Sequence, residues 1–338
     1  MKIGILGTGR WASNIAGLCL RNGHEVLAWE RKKQNQSEFF TTGTNKYIDL
    51  SSYKQDKYLM FTNSLNKVIN SCDYVFISIL SQYLDDLMQS VKKVRGYHNT
   101  KYCLAMKGVE ETTGRLLDEI MIDNGVKKDN ISVLGGPGHI QSIAAGKKTH
   151  MAVAAFKKSL AEDIQLILEN KNFKLSIEED VKGLEIGGAS KNPLGILAGV
   201  CVGSGNETLR GPLMCAGLVE MERYLDAMQC LEKTAKGLSL LGDFDATMYD
   251  PNSHNLNYGI EIVKQNTSEP KIDFIPEGKA AVKGLIKRMI EYNKQVSDFM
   301  QLKAPLLETC SDIVSGKVKP KKAVEAINKA IIEVYKMD

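Results

Sequence analysis

The chain opens with a short apolar run over residues 2–6, of the kind carried by a strand buried on both faces. The apolar period then changes. Ile15, Ala16, Leu18 and Cys19 fall on one face of a helix, and Asn22-Gly23 ends it with a glycine in the C-cap region. Residues 25–29 return to an apolar strand, so the first thirty residues predict one βαβ unit and a parallel sheet. The alternation continues with a helix over 64–71, a strand over 74–79, a helix over 83–94 and a strand over 102–106. A helix near 114–124, strands over 131–134 and 150–155 and a helix over 159–168 follow. Such regular alternation predicts an α/β doubly wound domain.

After about residue 183 the pattern becomes helical, with apolar-periodic segments over 194–202, 213–228, 280–300 and 323–334 separated by Gly, Pro and Asn breaks. The reading is a doubly wound domain over 1–183 followed by an all-helical domain over 184–338. No internal repeat or low-complexity tract interrupts either part.

Composition narrows the function. A length of 338 residues suits two domains, and 43% hydrophobic with 25% charged residues is too apolar for a disordered chain. The 44 Lys and Arg are interleaved with 40 Asp and Glu for a net charge of +4, a balance that argues against nucleic acid and suits a small anionic ligand. The seven cysteines form no Cys-x-x-Cys pair and show no metal spacing, as expected in a reducing compartment. Glycines interrupt the apolar start, so it reads as a strand rather than a signal peptide. No apolar run approaches the roughly 18 residues of a membrane span. The expectation is a cytoplasmic protein without stable membrane insertion.

The first candidate chemistry lies between strand and helix. Gly7-x-Gly9-x-x-Ala12 stands where a dinucleotide fingerprint should: Gly7 permits the tight turn, Gly9 lets backbone approach a pyrophosphate, and Ala12 allows close packing. Arg10 and Trp11 complete the loop, and the helix start offers free N–H groups. The first domain is therefore of Rossmann type and the cofactor is NADP or NAD. The choice falls at the end of the second strand, Trp29-Glu30-Arg31-Lys32-Lys33. With Glu30 pointing outward, Arg31 and Lys32 would take a 2′-phosphate; with Glu30 pointing in, NAD is preferred. The basic pair tips the reading toward NADP.

Further strings carry a family resemblance across nearly the whole chain. Gly7, Gly9 and Trp11 are followed by Trp29-x-Arg31, then Lys107-Gly108-Val109-Glu110 with Thr113-Gly114, then Gly136-Pro137 with His139. Next come Gly183-x-Glu185-Ile186-Gly187-Gly188-Ala189-Ser190-Lys191-Asn192, Leu241-Gly242-Asp243-Phe244 with Thr247, Ser253-His254-Asn255, and Glu277-Gly278. In this order they resemble the NAD(P)-dependent glycerol-3-phosphate dehydrogenases, which reduce dihydroxyacetone phosphate.

The resemblance implies Lys191, Lys107 and Asp243 as catalytic residues, with Lys191 the proton donor. It implies Lys107, Gly136, Thr247, Ser253, His254 and Asn255 around a small phosphorylated three-carbon substrate. Cofactor contacts would come from Gly7, Gly9, Arg10, Trp11, Arg31, Lys32, Lys107, Asn255 and Glu277, with no metal. A homodimer supplying glycerol phosphate for phospholipid is the implied context. Taken singly, a lysine is usually a solvated surface charge and Asp243 could be a helix N-cap; the surrounding strings lift both above that.

Several positions depart from the family pattern. His254 stands where the family has a phosphate-binding arginine, and an imidazole offers at most two N–H donors. The Gly-Pro loop continues with Gly138 and Ser142 where the family has Ser and Glu. The stretch Gly203-Ser204-Gly205-Asn206 is about one residue short. Pro193 directly follows Lys191-Asn192, so either Lys191 opens a helix or the local backbone differs. Two alternatives stay open: a dehydrogenase for another small 2-keto or 2-hydroxy substrate, because of His254, and a dinucleotide sensor without turnover.

Overall fold

Eight strands form one sheet: β1 (Lys2–Leu6), β2 (Glu25–Trp29), β3 (Leu59–Thr62), β4 (Tyr74–Ile77), β5 (Lys101–Leu104), β6 (Ile131–Gly135), β7 (Thr149–Ala155) and β8 (Phe173–Glu178). The structure is a computed structural model that describes residues 1–31, 37–46 and 48–337. The strand order is β8-β7-β6-β5-β4-β1-β2-β3. Neighbours are parallel except β6 with β7, which are antiparallel. From β3 to β6 this is the order 3-2-1-4-5-6 of a dinucleotide-binding sheet. Leu6 pairs with Trp29, so the turn after β1 and the chain after β2 leave the sheet side by side.

Helices α1 (Arg10–Arg21), α2 (Leu65–Ser71), α3 (Leu84–Val91), α4 (Leu117–Asp123) and α5 (Lys158–Leu168) follow strands of this sheet; the shortest turns are left unlabelled. The α1 face carrying Ala12, Ile15, Ala16, Leu18 and Cys19 is buried in one core with Ile3 and Ile5. The sequence reading missed β3 and β8. They are the two edges of the sheet; β3, LMFT, is only four residues long, and β8, FKLSIE, alternates apolar and polar residues instead of carrying the continuous apolar run of a buried strand.

The chain divides into two compact units, Met1–Lys107 with Leu117–Val181, and Gly108–Leu116 with Lys182–Asp338. Residues 108–116, which the sequence reading left in the first domain, therefore belong with the second unit. They lie on α10 (Gly278–Asn293): Gly114 has no room for a Cβ against the Arg288 backbone, and Arg288 donates to the Gly114 carbonyl at 3.1 Å. Arg115 closes the segment with a forked pair to Glu110 at 2.9 and 3.0 Å.

Among its described residues the second unit is helical: α6 (Val181–Gly203), α7 (Arg210–Ala227), α8 (Asp243–Met248), α9 (His254–Lys264), α10, α11 (Pro305–Val314) and α12 (Pro320–Lys336). Its central helix, α6, contains six glycines and Pro193. Each interior glycine costs about 1 kcal/mol relative to alanine, and an interior proline about 3 kcal/mol. Tertiary packing overrides that propensity, because almost every α6 residue is buried. The expectation that Lys191 opens a helix, or that the backbone departs from helix there, is thus corrected: α6 runs through both Lys191 and Pro193. Among the described residues no helix is long and apolar enough to cross a membrane.

Candidate active site

In α6, positions 187, 191, 195, 199 and 203 are spaced by four and form one ridge of the helix surface. Four of the five are glycine; the fifth is Lys191. The gaps left by the glycines are filled by neighbouring segments, with backbone closest at Gly187, Gly199 and Gly203 and side chains at Gly195. A Cβ on Gly187 would lie 2.9 Å from the Ser239 carbonyl oxygen, and one on Gly195 would lie 2.7 Å from the Thr247 methyl and 3.2 Å from the Asn255 Cβ. On Gly199 it would collide with the Leu256 carbonyl, and on Gly203 it would come within 3.1 Å of Ile260. Residues 239–247 therefore run beside the ridge in step with it, and α9 covers its far end.

This register sets Asp243 opposite Lys191. The Lys191 ammonium donates to Asp243 Oδ1 at 2.9 Å, with 16% of the lysine side chain and 1% of the aspartate side chain exposed. A π-helical turn, Leu238–Gly242, leads into α8 and delivers the carboxylate as its first residue. Asp243 is not the N-cap, which is Gly242. Thr247, one turn later, is buried beside Gly195.

Beyond the pair, Asn255 Nδ2 donates to Asn192 Oδ1 at 2.9 Å and Asn255 Oδ1 accepts the Gly278 N–H at 2.9 Å, tying together α6, α9 and α10. Asn192 is 2% exposed, and its Nδ2 has no hydrogen-bond partner among the described residues. Buried donors are normally satisfied, so this one, next to Lys191, marks Asn192 as a site residue that the sequence reading quoted but did not single out. Its signal was the Lys191-Asn192 dipeptide. The Ser253 hydroxyl accepts from Leu256 N–H and caps α9. His254 begins that helix, its ring 4.7 Å from that of Phe274. Glu277 is exposed at the head of α10.

In the first unit, Gly7 has φ of +125°, and a Cβ there would strike the Ser78 carbonyl; its N–H donates to Trp29 O at 3.0 Å. Gly9 is the N-cap of α1, carries no side chain to cap it, and has open space for 4 Å around the position of a Cβ. The first-turn N–H groups are thus presented at an uncovered helix start, which fits a dinucleotide pyrophosphate. Arg10 is exposed and Trp11 half-buried against Gly138.

Glu30 follows β2 and turns back over this loop. Its Oε1 accepts the Thr8 hydroxyl at 2.9 Å, and both carboxylate oxygens face the Ser37 N–H, at 3.3 and 3.1 Å. Arg31 is exposed, and Lys32 lies outside the described residues. After β5, the Lys107 ammonium donates at 2.8 Å to the carbonyl of Gly136, which also accepts the Gly138 N–H. Gly136 holds that turn with φ of +94°. His139 directly precedes the short helix Ile140–Ala144.

Comparison with known proteins agrees with both halves of this geometry. The family described as NAD-dependent glycerol-3-phosphate dehydrogenase N-terminus matches residues 2–161, and its C-terminal counterpart matches residues 180–325. A glycerol-3-phosphate dehydrogenase [NAD(P)+] of Fusobacterium nucleatum is 27% identical over 344 residues, covering 100% of this chain and 98% of that one. One from Hydrogenovibrio crunogenus is 28% identical, covering 97% and 94%. The crystal structure of glycerol-3-phosphate dehydrogenase from Coxiella burnetii has the same fold, with a TM-score of 0.84 at 22% identity over 97% of this chain and 98% of that one. With a dinucleotide loop at one end of the match and the lysine-bearing glycine ridge within the other, the chain belongs to the NAD-dependent glycerol-3-phosphate dehydrogenase family.

Proposed function

We propose that the protein is an NAD(P)-dependent dehydrogenase that interconverts dihydroxyacetone phosphate and sn-glycerol 3-phosphate, working in the cell as a reductase that supplies glycerol phosphate for phospholipid. The observation that carries this reading is the buried Lys191–Asp243 pair at 2.9 Å on the glycine ridge of α6. Gly7, Gly9, Arg10 and Trp11 would hold the dinucleotide, with Arg31, Lys32, Lys107, Asn255 and Glu277 as further contacts. The nicotinamide, when bound, supplies the hydride that reduces the C2 ketone.

The residues of the chain manage the charge that this transfer creates. Lys191 places an ammonium at the C2 oxygen, stabilises the developing alkoxide and gives it a proton, becoming a neutral amine that solvent reprotonates. In the oxidative direction the amine takes the hydroxyl proton. Asp243 fixes the ammonium in place. Lys107 and Gly136 are assigned to substrate oxygens, with Thr247, Ser253, His254 and Asn255 assigned to the phosphate and hydroxyl end. A cytoplasmic homodimer is part of the same proposal, and sedimentation at twice the chain mass checks the dimer.

The test is consumption of reduced nicotinamide by the purified chain with dihydroxyacetone phosphate, against dihydroxyacetone and a 2-keto acid. The account expects turnover of the phosphorylated ketone, yielding sn-glycerol 3-phosphate. Turnover of a different ketone alone would overturn the substrate, and nucleotide binding without turnover of any ketone would overturn the enzyme in favour of a sensor.

A further inference from the structure

We infer that the first unit carries a second ligand site, a cleft at the far end of α1 that binds a small organic anion through Arg21, Lys147 and Lys171. The cleft has a volume of about 530 Å³ and is lined by the last turn of α1, the turn after the short helix Ile140–Ala144, and the loop between α5 and β8. All three segments belong to the same compact unit. The volume falls within the roughly 300–1,000 Å³ usual for small-molecule sites. Because α1 is 12 residues long, its last turn lies about 18 Å along the helix axis from the Gly9 loop. The cleft is therefore separate from the dinucleotide site.

Hydrogen bonds within the chain fix the walls. Gly146 has φ of +67° and donates its N–H to Ile143 O at 3.0 Å, and the Lys147 N–H donates to Ser142 O at 2.8 Å, so the chain turns sharply and leaves Lys147 on the rim. On the other side, Asn22 Nδ2 donates to the carbonyls of Ile167 and Glu169 at 2.8 and 3.0 Å. Asn170 Oδ1 accepts the Asn172 and Phe173 N–H groups at 2.9 and 3.0 Å. The Thr149 N–H donates to Asn172 O at 2.8 Å and joins the two walls. A cleft formed in advance in this way loses little conformational freedom when a ligand enters.

The lining decides the ligand. Leu18, Ile143 and Phe173 are buried and form an apolar floor, while Arg21, Lys147 and Lys171 are exposed around it. Singly, each of these cations is an ordinary solvated charge. Together they give the cleft three positive charges and no carboxylate in its lining. The adjacent acid, Glu169, is held elsewhere: its Oε1 accepts the Leu175 N–H at 2.8 Å and its Oε2 lies 3.5 Å from Lys174 Nζ. The C-terminal end of α1 contributes about half a negative charge, which three full cations outweigh. The complement is a molecule with an apolar body for the floor and the aliphatic lysine stems, and with a carboxylate or phosphate head for the cations.

The experiment titrates naphthyl phosphate, naphthoate and uncharged naphthol into the purified full chain, with saturating NADH present, and follows binding by ligand-observed NMR. At least one anion should bind with a dissociation constant of about 1 mM or tighter, and naphthol about fivefold or more weakly than that anion. Tighter binding of naphthyl phosphate supports the site with a phosphorylated ligand, and tighter binding of naphthoate supports it with a carboxylate. In a Lys147→Ala, Lys171→Ala double variant the anion should bind about fivefold or more weakly, with naphthol unchanged. Both lysines are exposed, so the fold should survive their loss. A Lys147→Arg, Lys171→Arg variant, which keeps the charges, should bind the anion within about twofold of the wild type. Anions that bind no tighter than naphthol overturn the inference, as does the absence of binding. So does anion binding that the double alanine variant leaves unchanged, which would place the probe elsewhere, or that the arginine variant loses equally, which would deny the role of charge.

Discussion

The two units use glycine for opposite purposes. In the first, Gly7 takes a positive φ that other residues avoid, and Gly9 leaves a helix start open, so the backbone is exposed toward a ligand. In the second, Gly187, Gly195, Gly199 and Gly203 are ordinary helical residues whose missing side chains admit neighbouring segments, so the backbone is covered. The first arrangement is local: a turn, a helix start and the end of the adjacent strand lie within thirty residues. The second joins residues far apart in the chain, Lys191 with Asp243 and Asn192 with Asn255. A ridge emptied of side chains except for one lysine isolates that ammonium against one carboxylate.

The strongest way to break this contrast is to remove the lysine. Lys191→Met should lower turnover of dihydroxyacetone phosphate by about 10² or more, the scale of a lost general acid. Loss of one partner from a pair this buried also destabilises by about 3–5 kcal/mol, so Asp243→Asn in the same chain should recover stability in urea while turnover stays low. If the double variant regains turnover, proton donation by Lys191 is wrong.

Refilling the ridge should have the next largest effect. Gly199→Val brings a branched side chain against the Leu256 carbonyl, and overpacking of this kind costs about 1–3 kcal/mol. Urea denaturation should show the loss, and turnover should fall as Asn255 shifts from Asn192. Unchanged stability would mean that the crossing of α6 and α9 adjusts freely.

A third effect depends on pH. Glu220 of α7 is 1% exposed and accepts the Leu306 and Leu307 N–H groups at 2.7 and 3.0 Å, at the start of α11. Burial pushes its carboxyl up to about 8, against the opposing pull of those two donors, with Glu308 adding to the rise. A carboxyl raised above its unfolded value of 4.5 binds its proton more tightly in the folded state. Its contribution is therefore full below that value and is lost as pH rises through about 8. The urea midpoint of the wild type should decline across that window more steeply than that of Glu220→Gln. Parallel profiles would assign the carboxylate a fixed charge.

The smallest effect belongs to the surface. Lys283 and Glu111 form a 2.6 Å pair, but their side chains are 52% and 40% exposed, and Lys283→Ala should change stability by no more than about 1 kcal/mol. A larger loss by urea denaturation would show that the 108–116 segment depends on that contact.

What the sequence revealed follows the same division. The bounds of β1 and β2, the loop between them and the change to helices near 183 were legible because their signals are contiguous. The edge strands β3 and β8 were not, since β3 is only four residues long and β8 alternates apolar with polar residues. Pro193 misled because helix propensity is local, whereas α6 is held by packing on nearly every side. The period-four glycines were visible, but the sequence reading drew nothing from their spacing, which was the sign of a helix crossing. The inward turn of Glu30 needed Thr8 and Ser37 in three dimensions.

The central claim is a division of labour, with nucleotide held by the glycine loop of the first unit and the proton supplied by Lys191 of the second. Its most direct test is a calorimetric titration of NADH into the Lys191→Met, Asp243→Asn double variant. The account predicts an affinity within about twofold of the wild type, a change too small to register beside a catalytic loss of about 10². An affinity that falls in proportion to turnover would contradict it, because Lys191 would then be part of the nucleotide grip.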